Sequence, residues 1–127
     1  MSKIMNKKWL IALFFLFSGT MFSGNLFAQC ENAGTQADMT NCISDAYKKA
    51  DAELNHTYKL AFKGLNAKAA ENLKKAQRAW IIYRDAQCNA EYAKWDGGSG
   101  GPAAHLDCLY RLTKLRTAEL HKTYAFQ

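Results

Sequence analysis

The chain has 127 residues, with 17 Lys and Arg against 11 Asp and Glu, a formal net charge of +6 at pH 7, and 49% hydrophobic residues. That length allows one domain and no more. Half of the positive excess is Lys3, Lys7 and Lys8. The remaining +3 is too mild to argue for nucleic acid as a partner.

Met1–Lys8 is basic and holds no acid, Trp9–Phe17 is an unbroken apolar run, and a small, polar-rich stretch follows to Ala28. These are the three regions of a secretory signal peptide, read here as residues 1–28. Nine apolar residues are too few to span a bilayer. Cleavage is expected after Ala28 or a few residues away, because Leu26 fits the −3 position less well than alanine. Gln29 precedes Cys30 where lipid attachment normally follows a small residue, which argues against a lipid anchor. Residues 29–127 are then one domain, free in the periplasm or secreted.

The fold class follows from composition and periodicity. Valine is absent, and beyond the leader there are only three isoleucines among Ala, Leu, Lys, Glu, Gln and Arg, all good helix formers. Helix one is expected to start at Thr35, with Asp38 completing a capping box. Its stripe is Ile43, Tyr47, Ala50, Leu54, Tyr58, Ala61 and Leu65, and Gly64 is a natural stop. Helix two follows the N-cap Asn66 with the stripe Leu73, Ala76, Trp80 and Tyr83, widened by Ile81, Ile82 and Ala86, and fades near Trp95. Helix three starts after Pro102, the only proline, and carries Leu106, Leu109, Leu112, Leu115 and Leu120. Short connections make neighbours antiparallel. The expectation is a small all-α, three-helix domain whose first two helices form a long antiparallel hairpin.

Four cysteines, Cys30, Cys42, Cys88 and Cys108, lie beyond the leader. An even count in a small exported chain reads as two disulfides. No pair has the close spacing of a zinc site, and no cofactor is implied. A turn centred near residue 98 sets Cys88 opposite Cys108, leaving Cys30 with Cys42. The pairing 42–88 stays open, because the turn near residue 65 brings those two to the same end.

Little here reads as an active site. His56, His105 and His121 have neither i, i+4 partners nor acids at ligand spacing. Ser44 and Ser99 occupy no nucleophile elbow, and Asp51 and Asp85 have Lys and Arg neighbours that favour salt bridges. The chain is expected not to be an enzyme. The most unusual polar set is Asp51 and Asn55 on helix one, Gln77, Arg84 and Asp85 on helix two, and Arg116 on helix three. Long polar side chains on a nearly buried stripe need partners, so these residues are expected to form a network that fixes helix register.

Several of these residues also carry a resemblance. Ala50-Asp-Ala-Glu-Leu-Asn55 with Tyr58, Ala76-Gln-Arg-Ala-Trp80 followed by Tyr83-Arg-Asp-Ala86 and Cys88, the Gly-Gly-Ser loop, Cys108, and Arg116-Thr-Ala-Glu-Leu120 resemble the LprI-type lysozyme-inhibitor domain family. The resemblance implies an exported helical protein whose partner is a lysozyme or another muramidase. Lysozyme works with two carboxylates in a cleft, and an inhibitor needs to plug that cleft from a rigid scaffold. The candidate plug is the glycine-rich loop, with Trp95 as anchor and Lys94, Asp96, Ser99 and His105 around it. The rival surface is the face of helix one with Lys48, Lys49, Lys59 and Lys63. Animal lysozymes are usually basic, so a +3 inhibitor gains no long-range attraction from them. The alternative function is an envelope structural, stress or immunity binding protein that inhibits no lysozyme.

Overall fold

The computed structural model describes residues 26–124. The leader as far as Asn25 and the last three residues lie outside this range. Of the described residues 84% are helical and none is in a strand. A short α1 (Leu26–Gln29) precedes three long helices, α2 (Gln36–Lys63), α3 (Ala67–Ala93) and α4 (Gly101–Tyr124). The caps are local chemistry. Thr35 Oγ1 accepts a hydrogen bond from the Asp38 backbone N–H at 3.1 Å, and Asn66 Oδ1 accepts from that of Ala69 at 2.9 Å. At the end of α2 Gly64 donates its N–H to the Ala61 carbonyl at 3.2 Å, and Leu65 donates to that of Phe62 at 3.4 Å. Gly101, not the residue after Pro102, begins α4. Proline then falls in the first turn, where its missing N–H has no helical partner to lose.

Direction is fixed by cross-helix pairs. Cys88–Cys108, Asn89–His105 and Gln77–Arg116 run in opposite order along α3 and α4, so these helices are antiparallel. Glu53–Lys114 and Thr57–His121 advance together, so α2 and α4 are parallel. The expected hairpin is looser than its short turn suggested. The backbones of α2 and α3 approach little, whereas α4 packs closely along α2 and also against α3. Small inward residues permit this: Ala50 and Ala61 on α2, and Thr113 and Thr117 on α4, are buried.

Two disulfides are present, Cys30–Cys42 and Cys88–Cys108, and no cysteine is free. Both lie at the end holding the start of α2, the end of α3 and the start of α4. There Ile43, Ala103 and Cys30 form one buried cluster. Leu26 belongs to it, 2% exposed, although the sequence places it within the leader; cleavage after Ala28 would remove it from this core. The opposite end is closed by Leu54, Ala61, Leu73 and Leu120, with no covalent link.

The stripe of α3 needs correction. Its inward residues are Ala70, Leu73, Gln77, Arg84 and Cys88. Ala76 and Ala86 face outward, as do Ile81, Ile82 (71% exposed) and Tyr83 (55%). Cys88 must face Cys108, and Arg84 and Gln77 lie about one and about three turns before it on the same face, so tertiary pairing overrides the apolar pattern. Leu115 of α4 is likewise exposed, not part of the stripe.

Candidate functional site

The loop from Lys94 to Gly100 is a hydrogen-bonded cap. Trp95 N–H donates to the Tyr92 carbonyl at 3.0 Å, Gly98 N–H to the Trp95 carbonyl at 2.8 Å, and Gly101 N–H to the Gly98 carbonyl at 3.0 Å. Asp96 and Gly97 turn the chain with φ of 44° and 77°, a region that glycine enters freely and aspartate tolerates. The Trp95 ring lies across Gly100. A Cβ on Gly100 would come within 2.5 Å of that ring, so only glycine admits the indole there. The sequence suggested a protruding finger; the glycines instead seat an aromatic plate on the end of the bundle.

Trp95 remains 48% exposed and forms a ridge between two shallow hollows. One, of about 350 Å³, includes Gln87, Glu91 and Lys94; the other, of about 400 Å³, includes Phe27, Met39 and Ser99. Lys94, Trp95 and Ser99 are therefore brought together around one feature, and Asp96 is exposed at the turn beside them. His105 is not part of it. Its Nε2 lies 3.2 Å from Asn89 Oδ1, and its ring stands edge-on to Tyr92. Cys88–Cys108 ties the two helices at the base of the loop.

The polar set divides into two groups. In the first, Asn55 Nδ2 donates to Asp51 Oδ2 at 3.2 Å. Arg84 reaches Asp85 at 2.8 Å and Asp51 at 3.7 Å. In the second, Arg116 donates to Gln77 Oε1 at 3.0 Å and to Glu119 at 2.7 Å. Asn55 makes no hydrogen bond to Gln77, so the set is two groups and not the single network expected from sequence. The cations are the buried members, and their acids are half-exposed. Arg84 also lies over the rings of Trp80 and Tyr47, at 5.2 and 5.9 Å. Burial pushes the Tyr47 phenol above its usual pKa, and Arg84 partly opposes this. Tyr47, Trp80 and Glu119 were missed as partners; Glu119, three residues after Arg116, and Trp80, four before Arg84, were visible from spacing. Among the described residues no group of His, Cys, Asp or Glu is placed to hold a metal ion.

Charge is divided along the bundle. Residues 56–78 and 118–124, the end holding the α2–α3 turn, carry seven Lys and Arg against Glu71 and Glu119, a net +5. The rest of the described chain carries seven against nine, a net −2. The end bearing Trp95 is thus the acidic part of the molecule.

The arrangement is a disulfide-stapled all-helical domain with an aromatic cap at one end. The chain belongs to the lysozyme inhibitor LprI family, whose model matches residues 28–120. It is also similar to a protein of Rhizobium meliloti (strain 1021) described only as uncharacterized, 43% identical over 104 residues that cover 72% of this chain and 75% of the relative. No solved structure matches.

Proposed function

We propose that this protein is an exported inhibitor that binds a peptidoglycan-degrading muramidase and occludes its cleft with the Trp95 cap. Membership of the lysozyme inhibitor family over residues 28–120 carries the reading. The cap supplies a means. Trp95 is preformed on its glycine seat, so little conformational freedom is lost on docking. Lys94 and Ser99 beside it offer donors to a pair of catalytic carboxylates. The division of charge removes an objection that the mean charge raised: a basic lysozyme meets the net −2 portion, and local complementarity replaces the repulsion expected of a +3 body.

Export follows from the leader, with cleavage near Ala28; among the described residues no helix is long and apolar enough to cross a membrane. The role is binding and not catalysis. The test is clearing of a bacterial cell-wall suspension by animal and bacterial lysozymes as the purified protein is added. The reading expects clearing by at least one of them to fall and to saturate near equimolar protein. Unchanged clearing with every lysozyme, at large molar excess, would favour the envelope structural or immunity role.

A further inference from the structure

The basic end of the bundle is a second surface, distinct from the Trp95 cap. Between α2 and the start of α3 lies a hollow of about 370 Å³ walled by Tyr58, Leu60 and Phe62 and rimmed by Lys59, Lys63 and Lys74. Leu60 and Phe62 are 37% and 39% exposed, so two large apolar side chains stand among three ammonium groups. Lys59, Lys63, Lys68, Lys74, Arg78 and Lys122 make no ion pair among the described residues; of the Lys and Arg side chains at this end only Lys75 does, with Glu71. Elsewhere the pattern reverses: of seven Lys and Arg, five (Lys48, Arg84, Arg111, Lys114 and Arg116) are paired, and Lys49 and Lys94 are not. The amino end of α3 has no acid in its first turn, so its dipole adds to the positive potential.

We propose that this end is a peripheral docking surface for an anionic lipid bilayer, with the lysines against headgroup phosphates and Leu60 and Phe62 entering the interface. Long lysine stems around an apolar centre suit the boundary between headgroups and acyl chains. An acidic protein partner would gain from the charge but not from apolar side chains flanked by flexible ammonium groups. Such binding holds the protein at a membrane face while the acidic, Trp95-bearing end points away. It is independent of whether any lysozyme is inhibited.

The experiment is sedimentation with vesicles of pure phosphatidylcholine, or of phosphatidylcholine with 30% phosphatidylglycerol, using protein purified after export with its N-terminus verified by mass. Binding to the anionic vesicles is expected, weakening steeply with salt. Each lysine near the surface contributes about fivefold, so Lys59→Gln/Lys63→Gln/Lys74→Gln should weaken binding about a hundredfold. Lys48→Gln/Lys49→Gln/Lys94→Gln, with equal charge loss elsewhere, should weaken it far less. Phe62→Ser should weaken binding severalfold with unchanged salt dependence, and thermal melts of each variant check that it is folded. No binding to anionic vesicles at low salt would overturn the proposal, as would equal losses from the two triple variants. Binding of polyglutamate as tight as that of vesicles, with Phe62→Ser indifferent, would assign the surface to acidic polypeptides and also overturn it.

Discussion

The two ends of the bundle are built by different means. At the Trp95 end, both disulfides, the glycine seat and the cluster of Leu26, Ile43 and Ala103 hold four chain segments together, and the surrounding charge is slightly negative. At the other end no disulfide is present among the described residues, closure comes from packing of Leu54, Ala61, Leu73 and Leu120, and the surface is strongly basic and largely unpaired. Covalent links are placed where loop and arm would otherwise fray, whereas one continuous three-residue turn already secures the opposite end. The difference teaches that rigidity is concentrated under the aromatic cap. A binding element gains most from preorganisation there.

Removing that rigidity should have the largest effect on stability. Cys88→Ala/Cys108→Ala opens a loop of about 20 residues and is expected to cost roughly 3 kcal/mol in urea denaturation. A loss below about 1 kcal/mol would mean that packing alone fixes the Trp95 end. Between the ends, Arg84→Ala should cost about 2 kcal/mol. Its acids are half-exposed, so a buried acid is not stranded. The loss comes instead from the space opened between Trp80 and Tyr47, and Arg84→Met should recover part of it in the same assay.

Two smaller substitutions sharpen the comparison. Thr113 Oγ1 is buried without a hydrogen-bond partner, so Thr113→Val should stabilise the protein by about 1 kcal/mol. Destabilisation would reveal a partner for that hydroxyl. Ile82→Ser, on the outward face of α3, should change stability by less than about 0.5 kcal/mol. A loss comparable with that of a core residue would show that α3 presents its apolar side inward after all.

Those last two positions mark the limit of what the sequence discloses. The helix ends were legible because Thr35, Asn66 and Gly64 act through bonds to their own neighbours. The Cys88–Cys108 pairing was legible because a turn near residue 98 is a geometric constraint. The facing of α3 was not, because Ile81, Ile82 and Tyr83 supply the stronger apolar signal while Arg84 is drawn inward by Asp51 and Tyr47 of α2, contacts formed only on folding. Cys88 held the corrective signal, since Gln77 and Arg84 fall at heptad-like spacing on the side of a residue that must face α4. The central position of α4 was hidden for another reason: connection length tells which helices are neighbours and not which pair approaches most closely. At the candidate site, Trp95 stood out by type. Its seat on Gly100 depends on where two helix ends meet, which no local pattern encodes.

The claim that the rigid cap is the inhibitory element is tested most directly by titrating a susceptible lysozyme with the Trp95→Ala variant, alongside Lys48→Gln/Lys49→Gln/Lys59→Gln/Lys63→Gln. Loss of an interface anchor is worth about 2 kcal/mol or more, so Trp95→Ala should raise the inhibition constant by roughly thirtyfold while the lysine variant stays within a few-fold of the unmodified protein. Full inhibition by folded Trp95→Ala would contradict the cap as the inhibitory element. If the lysine variant then failed to inhibit, the contact would pass to α2.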